Sequence, residues 1–419
     1  MFQRTHPASV QFHIHPLLVR AVAGALERIF VEQHYADKVI EQTLRSNPKA
    51  GSRDRSFIAE TTYEVVRYYR LLEALMGRTP KDETDFWEMT GIYLLTRHLR
   101  NEKETPVELP EWQEFKVIKP KAVFEKYAAL SQQRPVRESI PDWMDTLGAE
   151  ELGAAWEPTL AALNRPAEVV LRTNSLKTNR TTLQEALIQE GIETKPIGAE
   201  QALKLTVRKN VFQTKAFKAG MFEVQDYSSQ AVAALLAPTP GMRVVDACAG
   251  GGGKTLHLAA LMQNKGQLIA LDTLAWKLDE LKLRARRAGA TNVETRPIEN
   301  RKVIKRLYDT ADALLLDVPC SGLGVLRRNP DSKWKITPAQ IEQLRATQQD
   351  ILRSYSPIVK SGGKMVYATC SILPSENRLQ VEAFLASEAG KNWTLVQDRS
   401  ILPQDEGFDG FYMALLTKG

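Results

Sequence analysis

Apolar residues recur at helical spacing along the first part of the chain, as in Leu17, Leu18, Ala21, Val22, Ala25 and Leu26, then Ile58, Thr62, Val65, Val66 and Tyr69. Amphipathic helices are therefore expected from about His15 to Gly77, with Asn47, Pro48, Gly51 and Ser52 as the break between them. Pro106, Pro110, Pro120, Pro135 and Pro141 cut the next stretch into short helices and a connection. From Arg165 the texture changes. Strands are expected at Glu168–Arg172, Ala202–Val207 and Gly220–Gln225, with a helix over Leu183–Gln189 ended by Gly191. After Pro238, Pro240 and Gly241, strands are expected at Arg243–Ala247, Leu268–Asp272, Val293–Pro297, Ala313–Asp317 and Lys364–Ala368, most of them apolar runs. Helical patterns separate them after Lys254, after Leu274, at Pro338–Tyr355 and at Glu376–Ser387. Such runs read as parallel strands buried on both faces. A last run, Phe411–Thr417, suits a closing strand paired with Trp393–Gln397. The fold class expected is α/β: a Rossmann-type doubly wound sheet over 237–419, a small α/β domain over 138–236, and an all-helical domain over 1–137.

A chain of 419 residues is too long for one ordinary core, which agrees with three domains. Its three cysteines and the lack of a secretory pattern point to free thiols in a reducing cytoplasm, and no membrane span is expected. His13 and His15 lack further ligands at suitable spacing, so they are expected to be surface or capping residues and no metal site is foreseen. The net charge of +6 is modest, but its distribution is uneven. Between Arg172 and Lys218 nine basic residues face four acidic ones, and between Lys277 and Arg306 ten face four. Lys81 to Lys116 holds five basic against nine acidic. A polyanion docking along one side would suit this polarity.

The chemistry is concentrated in two stretches, LLLDVPCSGLGVLRRNPDSKW (Leu314 to Trp334) and YATCS (Tyr367 to Ser371). In each, a Cys follows an expected strand, where α/β enzymes carry reactive groups. A thiolate adds to electron-poor ring carbons and can be expelled again, so Cys320 and Cys370 beside Asp317 suggest addition and elimination. The turn after the first strand of the large sheet is Cys248, Ala249, Gly250, Gly251, Gly252, Gly253, Lys254. A P-loop would need Gly where Cys248 stands, and the dinucleotide spacing would need Gly where Thr255 stands. What remains is a glycine turn that offers N–H groups, with Asp272 ending the next strand where it can accept from a ribose diol. An adenosyl ligand such as S-adenosylmethionine fits this better than ATP or NAD.

The set DACAGGGGKT, ALD at Ala270 to Asp272, LLLDVPCSGLGVLRRNPDSKW and YATCSILPSEN resembles the RNA cytosine-C5 methyltransferase family, the Nop/Sun group, from about Arg165 to the C-terminus. The segments ADKVIEQTLR and FIAETTYEVVRYYR resemble a NusB-like RNA-binding module. Two departures stand out: Gly250 and Gly251 replace the family's usual Ala-Pro, and Glu299 stands where Asp is common. The resemblance implies methyl transfer from S-adenosylmethionine to C5 of cytosine in RNA, with ribosomal RNA favoured over transfer RNA. It implies Cys370 as the nucleophile at C6, Asp317 at the N3 and amino edge, and Cys320 in elimination. Cofactor contacts are expected from Cys248 through Lys254 and from Asp272, Glu299 and Asp317. The base must leave its stack, which favours a single-stranded or loop substrate. Arg327, Arg328, Lys333 and Trp334 are candidate RNA contacts, and a monomer is expected. A catalytically silent RNA-binding ribosome-assembly factor is the alternative; the intact Asp317, Cys320 and Cys370 speak against it.

Overall fold

The computed structural model describes residues 14–101 and 104–419; His13 lies outside them. The chain forms two compact units, one of residues up to Asp145 together with Asn329–Trp334, the other of Thr146–Arg328 and Lys335–Gly419. Among the described residues no helix is long and apolar enough to cross a membrane.

The first unit is helical: α1 (Pro16–Phe30), α2 (Ala36–Ser46), α3 (Ser52–Arg67), α4 (Tyr69–Met76), α5 (Glu83–Thr96) and α6 (Pro120–Leu130). His15 caps α1, its Nδ1 accepting from the Leu17 N–H at 3.2 Å. The stretch expected to break into short helices contains α5, which runs unbroken for 14 residues and is buried at Phe86, Trp87 and Met89 through Thr96. A helix enclosed on every side carries no polar stripe, so no period marks it in the sequence. Its core takes in Val22, Leu26, Val65, Leu72, Phe86 and Leu94.

Asn329–Trp334, within the 237–419 stretch, is grouped with this unit. The Trp334 indole donates to Val66 O at 2.7 Å and meets the Tyr69 ring edge-on at 5.6 Å between centroids. Lys333, only 2% exposed, donates to Arg67 O at 2.7 Å. Asp331 accepts from the Ala36 N–H at the start of α2, at 3.0 Å. These contacts give Lys333 and Trp334, expected at RNA, a structural occupation in this unit.

The second unit holds two sheets. The smaller is antiparallel, ordered β2 (Thr194–Pro196), β3 (Ala202–Leu205), β1 (Val170–Thr173), β4 (Phe222–Val224). The larger has seven strands in the order β10 (Trp393–Ile401), β11 (Phe411–Lys418), β9 (Val359–Thr369), β8 (Ala311–Asp317), β5 (Arg243–Asp246), β6 (Gln267–Asp272), β7 (Val293–Pro297). Strands β9 through β7 run parallel, and β11 and β10 close one edge antiparallel. Both faces are covered, which is why Ala311 and Ala313 through Leu316 are all fully buried. The order reverses at β5, with β6 on one side and β8 on the other. In sheets of this kind ligands bind beyond the carboxyl ends of the strands at such a switch point.

The small sheet is joined to the large one by buried polar contacts. Glu223 pairs with Arg284 at 2.9 Å and with Arg287, both on the helix Ala275–Ala288. Asn174 donates to Gly220 O at 2.8 Å and to Ala288 O at 2.7 Å. Two of the ten basic residues counted between Lys277 and Arg306 are thus engaged inside the protein rather than offered to a polyanion.

Candidate active site

The carboxyl ends of β5, β8 and β9 carry the glycine turn, Asp317, Cys320 and Cys370. Asp317 ends β8 and Cys370 directly follows β9, the neighbouring strand. Cys320 lies on the loop after β8, and its Sγ is 3.4 Å from Cys370 Sγ, both thiols being free. The close approach of the two loops depends on Gly324. Its N–H donates to Cys370 O at 2.9 Å. A side chain there would start 2.7 Å from Cys370 O and 2.1 Å from Gly410 O, so no larger residue fits.

The hydrogen bond to Cys370 and burial together push the Cys320 thiol well above its ordinary value. Cys320 therefore keeps its proton, and the proton can face the Cys370 sulfur. Lys254, on the first turn of the helix Gly253–Leu261, donates to Asp317 Oδ2 at 2.7 Å. Burial alone would lower the lysine, but Asp317 outweighs it and the net shift is upward, so the ammonium stays charged beside the carboxylate and beside Cys370. The same ammonium lies 5.2 Å from the centre of the Phe411 ring. The sequence marked Lys254 as part of the glycine turn and gave no hint of this pairing, because the two residues lie 63 positions apart.

The glycine turn sits at the end of β5. Gly250 has φ +54° and Gly252 φ +85°, backbone that a larger residue adopts only with strain. At Gly250 nothing lies within 4 Å of where a side chain would begin, whereas at Gly252 the first carbon would meet Leu281 Cδ1 at 2.0 Å. The turn is thus open on one side and pressed on the neighbouring helix on the other. Asp272, ending β6, accepts from the Gly250 N–H at 2.9 Å and the Leu274 N–H at 2.8 Å, one per oxygen. Each oxygen retains a lone pair. Glu299 is exposed on the loop after β7. Cys248 packs at the edge of the core, and burial raises its thiol well above the usual range, which suits a wall residue rather than a reactive one. Beneath the turn, Asp246 is 1% exposed and accepts from the Thr255 hydroxyl at 2.7 Å.

The two arginines expected at RNA are held elsewhere. Arg328 donates to Asp409 at 2.5 Å, Asp226 at 2.8 Å and Glu168 O at 3.1 Å, and Arg327 donates to Gly407 O at 2.7 Å. Both guanidinium groups thus bind loops of the fold. A residue absent from the sequence-based candidates is Glu376, fully buried with both serines that follow the cysteines hydrogen-bonded to it.

A family model described as 16S rRNA methyltransferase RsmB/F matches residues 233–417, and one described as the RsmF/B-like ferredoxin-like domain matches residues 140–212. A Synechocystis protein named probable ribosomal RNA small subunit methyltransferase B is 33% identical over 433 residues, covering 92% of this chain and 95% of its own. The chain belongs to the RsmB/F family of RNA cytosine-C5 methyltransferases. A Vibrio cholerae relative named ribosomal RNA small subunit methyltransferase B shares 34% identity over 399 residues, 87% of this chain and 90% of its own. A solved methyltransferase homologue from Pyrococcus horikoshii aligns with TM-score 0.61 and 25% identity over 70% of this chain and 99% of its own. The ferredoxin-like match takes in β1, β2 and β3 of the small antiparallel sheet and ends before β4. The two thiols and Asp317 lie within the span of the RsmB/F model.

Proposed function

We propose that this RsmB/F-family protein methylates C5 of a cytosine in small-subunit ribosomal RNA, presented unpaired, with Cys370 as the nucleophile. The observation that carries this reading is the meeting of two free thiols, 3.4 Å apart, beside a carboxylate that is itself paired with a lysine. Cytosine C5 is too weak a nucleophile to be methylated directly. Addition of the Cys370 thiolate at C6 moves the C5=C6 electron pair onto C5 and prepares it to attack. Asp317, oriented by Lys254, accepts from the amino group and holds the ring, and the Lys254 ammonium offsets the negative charge that the addition places on it. After methylation the C5 proton passes to a water molecule, the C5–H electron pair re-forms the C5=C6 bond, the C6–S bond breaks, and Cys370 leaves with its electron pair. Cys320, holding a proton 3.4 Å from that sulfur, is the group placed to exchange it as the bond breaks.

The glycine turn fits an adenosyl ligand, because Gly250 leaves its backbone reachable and Asp272 keeps lone pairs for a ribose diol. S-adenosylmethionine, when bound, supplies the electrophilic methyl group. Residues Cys248 to Lys254, with Asp272 and Asp317, would hold it, and Glu299 would lie toward the base. A silent assembly factor would have no use for Lys254 charged against Asp317 beside two sulfurs.

The test is incubation with labelled cofactor and ribosomal RNA, followed by digestion to nucleosides. Wild type is expected to give labelled 5-methylcytidine and Cys370→Ala none, while Cys320→Ala should accumulate a protein–RNA adduct that survives denaturation. Labelled 5-methylcytidine from Cys370→Ala would refute the assignment, and none from wild type would favour the assembly factor.

A further inference from the structure

Four donors converge on the Glu376 carboxylate, which lies wholly out of solvent between the two cysteine loops. Oε1 accepts from the Ser321 N–H at 2.8 Å and Gln348 Nε2 at 3.1 Å, and Oε2 accepts from the Ser321 and Ser371 hydroxyls, each at 2.5 Å. Ser321 directly follows Cys320 and Ser371 directly follows Cys370. Gln348, from the helix Pro338–Tyr355, also donates to Pro319 O at 3.0 Å, on the residue before Cys320. Asn377 completes the frame, accepting from the Thr369 hydroxyl at 2.5 Å and donating to Ser371 O at 3.0 Å. Burying a carboxylate is costly, and apolar side chains could fill the space with less penalty. What only this group supplies is a common anchor for both loops.

We propose that Glu376 is a positioning residue for the methyl transfer, a carboxylate clamp that sets the separation of the two sulfurs. The proposal rests on the reading of Cys370 as nucleophile. The clamp acts through the serines and touches neither sulfur. Its charge has a second effect: after the hydrogen bond with Cys370 and burial, it adds to the upward push on the Cys320 thiol. The proton is thereby kept on Cys320, which leaves Cys370 as the sulfur that attacks.

The test compares wild type, Glu376→Gln, Glu376→Ala, the Ser321→Ala/Ser371→Ala double variant and Cys370→Ala in full-length protein. The readouts are 5-methylcytidine formation and the pH profile of Cys320 alkylation by iodoacetamide. Glu376→Gln keeps the shape and removes the charge. It is expected to leave KM for RNA unchanged, lower kcat about 10-fold and move Cys320 alkylation to lower pH. Glu376→Ala should lose about 100-fold in kcat. Should it fail to fold, the double serine variant, which cuts both arms and leaves the charge, should lower kcat while the Cys320 profile stays near that of wild type. Wild-type kcat and an unmoved Cys320 profile in Glu376→Gln overturn the clamp. Residual 5-methylcytidine in Cys370→Ala sinks the nucleophile reading instead, whatever Glu376 does.

Discussion

Replacing Asp246 with Asn should flatten part of the pH dependence of stability in the methyltransferase domain. Burial pushes the Asp246 carboxyl up from 3.8 to about 7, a shift that the Thr255 hydrogen bond opposes and the Asp317 charge reinforces. Its Oδ1 is buried without a hydrogen-bond partner. The folded value lies above the unfolded one, so the folded state binds the proton more tightly. The stability this brings is present in full below the unfolded value and is lost as pH rises through about 7. Between pH 5 and pH 8 the loss is roughly 2–3 kcal/mol, from about 1.4 kcal/mol for each of the two pH units up to the folded value. Asparagine has no proton to lose and can still accept from Thr255. Hydrogen exchange of the β5 and β8 amides, corrected for intrinsic rates, measures the difference. Wild-type protection should fall about 100-fold more than that of Asp246→Asn from pH 5 to pH 8. Parallel declines in the two proteins would show that Asp246 is not held protonated.

Removing Arg328 strands two carboxylates, Asp409 being raised to about 6 by burial and by Asp226 even with the arginine present. Arg328→Ala should cost about 3–5 kcal/mol, with a larger deficit at pH 8 than at pH 5 because the raised carboxyl loses its proton in between; denaturant titration at both pH values checks it. Trp334→Ala should destabilise the helical unit by about 2–4 kcal/mol in urea unfolding; unchanged stability with weakened RNA binding would restore the stacking role.

The large sheet was legible because its central strands are buried on both faces and write continuous apolar runs such as Ala313 to Leu316. The glycine turn and the two cysteines were legible because their spacing relative to those strands is local. What escaped was set by partners distant in sequence. Arg327 and Arg328 read as a free basic pair, and nothing near them announces Asp226 or Asp409, 102 and 81 residues from Arg328. Glu376 stood in the motif YATCSILPSEN without a role. The available signal was a serine after each cysteine, two hydroxyls that need an acceptor once buried. Helix α5 escaped for the opposite reason, since complete enclosure erases the period that reveals a half-buried helix.

The excursion of Asn329–Trp334 also bears on biosynthesis. As the chain emerges from the ribosome, α1 through α6 appear long before the peptide that fills the space beside Tyr69 and satisfies the carbonyls of Val66 and Arg67. The amino-terminal unit must therefore wait, incompletely closed, until the chain has been translated through Trp334. A fragment truncated at residue 145 would be missing a piece of its own interior.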